Sequence, residues 1–285
     1  MSWDASRAPD ETNITLAGWL RVILRAAALI VLVFGGLLVL LALRLFERPL
    51  YGLHRPWTPY ITQFVCRMAF VILGMKHSAT GRQMKEAGAV VANHASWLDI
   101  FTLNARKRVY FVSKSEVAKW PGIGWLARAT GTVFINRDRR EARAQQEVFE
   151  ARLLAGHKLL FFPEGTSTDG LRVLPFKPTL FQAFFADSLR ERLFVQPVSV
   201  VYRAPAGATV RFYGWWGDME FGPHLLKTLA AGHGGSVSVT YHAPLRVADF
   251  ADRKALARAA EDAVRSAMPA GLIAAGEAYD AALEA

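Results

Sequence analysis

The amino-acid sequence predicts an α/β domain, a mixed central sheet flanked by helices, preceded by an N-terminal membrane-associated helical segment. Three observations lead there. Short apolar runs alternate with longer helical stretches from about residue 76 onward, as an α/β domain requires. Ahead of them an uncharged run, Ala26 to Leu43, would reach about 27 Å as a helix, close to one hydrocarbon thickness. The 285 residues suffice for one sizeable domain and an appended segment, and 52% apolar against 20% charged residues excludes a disordered chain.

In chain order, residues 1–75 are read as membrane-associated helices and residues 76–285 as the α/β domain. The run 26–43 lacks the polar stripe of a buried soluble helix, and no A-x-A cleavage pattern follows it, which argues against a signal peptide. A second apolar helix, residues 60–75, is interrupted by Gln63 and Arg67 and suits the interface better than a second span. Arginines flank the first run on both sides (Arg7, Arg21 and Arg25; Arg44, Arg48 and Arg55), so charge asymmetry gives no orientation. Strands are expected at Ala89–Ala92, Val109–Val112, Val133–Ile135, Lys158–Phe162, Val195–Tyr202, Thr209–Tyr213 and Ser236–His242. Helices are expected at Leu98–Ala105, Trp120–Ala129, Arg139–Leu154, Thr179–Asp187 and Asp252–Ala267; Pro269 stops the last, and the alanine-rich tail beyond reads as peripheral.

Thirty-four Lys and Arg against 24 Asp and Glu leave a net charge of +10, so the chain should seek polyanions: nucleic acid, anionic lipid head groups or an acidic carrier protein. The single cysteine, Cys66, excludes an internal disulfide and any multi-cysteine metal site. His77, His157, His224, His233 and His242 lack metal-ligand spacing, so no metal is expected.

The chemistry concentrates in two blocks. Asn93-His94-Ala95-Ser96-Trp97-Leu98-Asp99 follows an apolar strand and opens a helix, which puts His94 at the carboxyl edge of the sheet. An imidazole there can take a proton from a hydroxyl near neutral pH, and Asp99 can fix its tautomer by accepting from the other ring nitrogen. This pair holds a base and an orienting group but no nucleophile, since Ser96 reads first as a helix cap. Phe161-Phe162-Pro163-Glu164-Gly165-Thr166 follows a second apolar strand, and its Pro and Gly make a turn holding a carboxylate and a hydroxyl at the strand exit.

Together the His-x4-Asp and Pro-Glu-Gly-Thr blocks resemble the glycerolipid acyltransferase family, which includes the 1-acylglycerol-3-phosphate acyltransferases. Gly131-Thr132-Val133-Phe134-Ile135-Asn136-Arg137 and Val195-Gln196-Pro197-Val198 look like two further blocks of that family, in the right order. The resemblance implies direct attack of a lysolipid hydroxyl on an acyl thioester, with no acyl-enzyme. It implies that His94 deprotonates the hydroxyl, that Asp99 polarises His94, and that Asn93, Arg137, Glu164, Gly165, Thr166 and Ser167 form the substrate-binding set. It further implies no cofactor, an acyl carrier protein or coenzyme A thioester as co-substrate, no nucleic-acid partner, and a place at the bacterial inner membrane with the catalytic domain on the cytoplasmic side. Family members that use phosphate-bearing acceptors commonly have an arginine where this chain has Ser167, and Arg172 or Lys177 are the cations that would compensate. The strings from Thr166 to Lys177 and from Trp215 to Leu225 are similar to the bacterial branch that acylates lyso-ornithine lipids, which favours an aminolipid acceptor over lysophosphatidic acid. Two readings compete: a membrane-anchored polyanion-binding module without catalysis, and a serine hydrolase using Ser96.

Overall fold

The structure is a computed structural model and describes residues 13–135 and 142–284. Two helices, α1 (Leu16–Tyr51) and α2 (Thr58–Leu73), pack into an N-terminal hairpin. There follow β1 (Lys76–Gly81), β2 (Gly88–Ala92), α3 (Asp99–Asn104), β3 (Tyr110–Lys114), α4 (Ile123–Thr130), β4 (Val133–Ile135), α5 (Ala142–Leu154) and β5 (Leu159–Phe161). The remainder comprises β6 (Phe194–Arg203), α6 (Phe221–Ala230), β7 (Ser236–Tyr241), β8 (Leu245–Arg246), α7 (Arg253–Ser266) and α8 (Ala270–Glu284).

The strands form one mixed sheet in the order β1-β7-β6-β2-β5-β3-β4, with β8 beside β6. Neighbours from β6 through β2, β5 and β3 to β4 run parallel, whereas β7 and β8 are antiparallel to β6. Parallel strands exit on one side, so the segments after β2, β5 and β3 all emerge along a single edge of the sheet, the edge where α/β proteins build sites.

Because strand side chains alternate, each strand feeds two cores. Ala89, Val91, Leu159, Phe161 and Val195 pack with Phe181, Phe184 and the buried face of α7 (Leu256, Ala260, Val264). Val90, Ala92, Leu160, Val198 and Val200 pack on the other side with Leu98 and Leu103 and with Val22, Cys66, Phe70 and Leu73 of the hairpin. Hairpin and α/β unit therefore share one continuous core.

Arginines fix that contact. Arg21 Nε donates to Ala230 O (2.8 Å), and Arg25 Nη1 donates to Leu229 O (2.8 Å) and Ala231 O (2.6 Å), all at the end of α6. Arg55 Nη1 donates to Ala129 O (2.6 Å) near the end of α4, and Arg67 Nε to Ala105 O (2.7 Å) at the end of α3. Each guanidinium meets carbonyls that a helix leaves unpaired at its negative end. The turn between α1 and α2 is held by Glu47, buried, which accepts from Trp57 N (2.7 Å), Thr58 N (3.0 Å), Thr58 Oγ1 (2.7 Å) and Arg44 Nη1 (3.0 Å).

The outer face of α1 is bare. Val31 and Leu45 are 73% and 74% exposed, a state that a core helix of a soluble protein would not leave uncovered. Among the described residues α1 is the one helix long and apolar enough to cross a membrane, and it makes the protein membrane-associated.

The predicted strands match β2 to β7 within two residues at either end, with one exception. Thr209–Tyr213 is no strand: Phe212 N donates to Thr209 O (3.0 Å) and Gly214 N to Arg211 O (2.9 Å), so the segment folds into turns that bury Phe212 and Tyr213. Thr179–Asp187 forms a 3-10 segment, Pro178–Phe185, instead of an α-helix. The tail beyond Pro269 is helical and attached, because Arg172 donates to Asp280 Oδ2 (2.5 Å) and Gly276 O (3.2 Å) of α8. The start of the Arg139–Leu154 helix lies outside the described residues, and α5 occupies the rest.

Candidate active site

Asn93 ends the run of β2. Its Oδ1 accepts from Val200 N (2.7 Å) and its Nδ2 donates to Val200 O (2.9 Å), so a side-chain amide continues the β2–β6 pairing past the last backbone rung. Expected among the substrate-binding residues, Asn93 is instead placed as a buried clamp that fixes the backbone from which His94 springs.

His94 Nδ1 lies 2.7 Å from Asp99 Oδ2. The same oxygen accepts from Ala95 N (2.9 Å) and Ser96 N (3.1 Å), and Oδ1 accepts from Tyr202 Oη (2.7 Å). Two backbone N–H groups and the imidazole converge on one oxygen and a hydroxyl donates to the other, an acceptor-only pattern around a fully buried carboxyl group. Asp99 can only accept, so the ring proton sits on Nδ1 and the Nε2 lone pair is free to take another. Phe162 stacks against the imidazole (centroids 4.0 Å, planes 9° apart), and the side chain remains 21% exposed. Ser96 is buried with its Oγ accepting from Leu98 N (3.3 Å), a local cap in no position to act as a nucleophile.

Glu164 is not at the rim. It is buried, with Oε1 accepting from His94 N (2.7 Å) and Oε2 from Leu174 N (2.8 Å), so it ties the turn after β5 to the histidine block and to the strand of chain beyond. Burial pushes its carboxyl up to about 8 against the opposing pull of those two N–H donors. The same two blocks are joined again where Thr168 N donates to His94 O (2.9 Å). Gly165, Thr166 and Ser167 are half-buried beside this junction. Gly165 sits at φ +75°, and a Cβ there would lie 2.5 Å from Lys177 Nζ.

Of the two cations expected to stand in for the arginine that Ser167 replaces, Arg172 is spent on Asp169 (3.2 and 3.1 Å) and on α8. Lys177 lies over the turn. Arg137 lies outside the described residues. Backbone N–H groups of residues 94, 95 and 96 already serve carboxylates, so a developing oxyanion must draw on other donors.

The loop after β6 closes the other side. Trp215 N donates to Ala95 O (2.9 Å), and Trp97 Nε1 donates to His224 Nδ1 (2.9 Å) on α6 while His224 Nε2 faces Gly214 O (2.9 Å). Burial lowers the His224 imidazole to about 4, which keeps it neutral and bridging. Among the described residues no group of His, Cys, Asp and Glu side chains is arranged to hold a metal ion.

Tyr202 is the residue that sequence reading missed. It stands on β6, fully buried, 103 positions from Asp99, and accepts from Thr102 Oγ1 (2.9 Å) while donating to the carboxylate. Tyr202→Phe should strip Asp99 of its one hydroxyl donor and make the carboxylate a stronger partner for imidazolium. We expect the acid limb of the pH–rate profile, where the imidazolium forms, to move upward and turnover to fall roughly tenfold, the scale of one hydrogen bond to a buried charge. An unmoved limb would show that the tyrosine only packs.

A base aimed by a carboxylate, with no nucleophile beside it, suits an enzyme that moves a group directly from donor to acceptor; on this sheet, behind this hairpin, that is a membrane-associated acyl-transferring enzyme. The chain belongs to the acyltransferase family, whose model matches residues 75–201. It is 58% identical over 93% of its length, and 96% of the relative's, to a protein of Rhodobacter capsulatus named lyso-ornithine lipid O-acyltransferase. A Brucella abortus protein of the same name is 35% identical over 90% of this chain and 97% of its own. A 1-acyl-sn-glycerol-3-phosphate acyltransferase of Neisseria meningitidis is 37% identical over 41% of this chain and 46% of its own. The fold matches the crystal structure of the 1-acyl-sn-glycerophosphate (LPA) acyltransferase of Thermotoga maritima with a TM-score of 0.62 at 22% identity, over 88% of this chain and 94% of that one.

Proposed function

We propose that this acyltransferase moves a fatty acyl group from an acyl carrier protein or coenzyme A thioester to the free hydroxyl of a lyso-ornithine-type aminolipid. The observation that carries the acceptor is the near full-length, 58% identity to a relative named for that acceptor. In this reading His94 Nε2 takes the hydroxyl proton and the oxygen attacks the thioester carbonyl. The tetrahedral intermediate then collapses, breaking the C–S bond, and the imidazolium returns its proton to the leaving thiolate. Asp99 stabilises the imidazolium, Glu164 and Asn93 hold the backbone of the base, and residues 165–167 with Arg137 contact the acceptor head. No metal or cofactor is assigned a part. The open Nε2 of a partly exposed His94 backed by a buried Asp99 supports this division of labour.

The reading places the enzyme on the cytoplasmic side of the bacterial inner membrane. Arg21 and Arg25 before the apolar run and Arg55 after it all hold the same α/β unit, which favours a hairpin entering and leaving on one side. The test is thiol release from both donors by the purified full chain with lyso-ornithine lipid and lysophosphatidic acid in parallel. Faster release with the aminolipid is expected; exclusive use of lysophosphatidic acid would replace the acceptor. Ser167→Arg should then improve the phosphate acceptor relative to the aminolipid by roughly tenfold, since a guanidinium pairs with phosphate bidentately. Unchanged preference would show that position 167 does not select the acceptor.

A further inference from the structure

We propose that the α/β unit has its own membrane-docking surface, formed by Trp120 and Trp125 with the cations around them, and that this surface turns the active-site edge toward an anionic bilayer. It rests on the membrane association of α1 and not on the acceptor's identity. Trp120 is 42% and Trp125 65% exposed, the latter on a short helix whose neighbours Ile123, Leu126 and Ala127 are half-buried. Two indoles left in water, Trp120 just before α4 and Trp125 on it, are costly unless something covers them.

Two features identify the cover as lipid. First, the patch continues the bare face of α1: that helix packs against α4, and a Cβ on Gly122 would come within 3.9 Å of Phe34, itself 40% exposed and in the middle of the apolar run. Second, among the described residues from 114 to 128 the exposed charges are Lys114, Lys119 and Arg128 against Glu116. Exposed indoles with cations close by in the chain match the head-group zone of an anionic leaflet, where aromatic rings settle and cations are attracted. Placement gives the surface its purpose. β3 leads into this element from the same edge of the sheet at which β2 leads to His94, so docking there sets the catalytic histidine beside the membrane.

The experiment labels the full chain at Trp125→Cys, or at Glu86→Cys on the opposite edge, with a nitroxide; the native Cys66 is buried. In vesicles of phosphatidylcholine with phosphatidylglycerol, the 125 label should collide with oxygen more than with a water-soluble nickel chelate, and the 86 label the reverse. A 125 label as open to nickel as the 86 label, or closed to both reagents as under a protein partner, would overturn the proposal. Trp120→Ser with Trp125→Ser should lose roughly tenfold in turnover on vesicle-borne acceptor, equivalent to about 1.4 kcal/mol, yet match the wild type in detergent micelles. Equal turnover on vesicles, or an equal loss in micelles, would also overturn it. Micellar activity confirms that the variant is folded.

Discussion

His94→Ala should lower acyl-transfer turnover by roughly 10²- to 10⁴-fold, the usual worth of a positioned general base, while the protein keeps its fold. The imidazole is partly exposed and lies on Phe162, so its removal opens no deep cavity. The architecture around it does not depend on the ring: Glu164 holds the backbone N–H of residue 94, Thr168 donates to its carbonyl, and Asp99 keeps Ala95 N, Ser96 N and Tyr202. Thermal unfolding should stay close to wild type. A folded variant that still releases thiol at the wild-type rate would remove His94 from the chemistry.

Asp99→Asn should cost about 10³- to 10⁴-fold, comparable to the loss when the carboxylate of a catalytic triad becomes an amide. With the amide oxygen in place of Oδ2, the three N–H donors keep an acceptor, and the NH₂ group then meets the Tyr202 hydroxyl, which must turn its proton elsewhere. The geometry survives, yet the negative charge that stabilises imidazolium is gone. In the opposite orientation the NH₂ faces two backbone N–H groups and forces the proton off Nδ1, leaving the wrong tautomer. Either arrangement depresses kcat more than the acceptor KM. A loss below tenfold in kcat would mean that the aspartate only shapes the turn.

The dyad was legible because both members sit within six residues on a strand-to-helix junction, where local rules apply. Strands β2 to β7 were legible as apolar runs for the same reason. β1 was not: Lys-His-Ser-Ala-Thr-Gly is almost wholly exposed and becomes a strand only because β7 offers it a parallel partner. Thr209–Tyr213 misled in the opposite sense, its apolar residues being buried through turns. α6 carries Gly222 and Pro223 in its first turn, residues that read as a turn in sequence, while its value lies in the carbonyls it presents to Arg21 and Arg25. Tyr202 and the inward aim of Glu164 depend on contacts between residues far apart in sequence. A tyrosine on a strand reads as core until its hydroxyl is seen against Asp99.

The arginine bonds to the ends of α3, α4 and α6 bear on how the enzyme can be handled. Cutting the chain at residue 76 would strip Val22, Cys66, Phe70 and Leu73 from the core beneath His94 and uncap three helices at once. The membrane hairpin is thus a structural layer of the catalytic unit. Preparations aimed at a water-soluble fragment begin by dismantling what they mean to isolate, and substitutions on the lipid-facing side of α1 are the route that leaves those contacts whole.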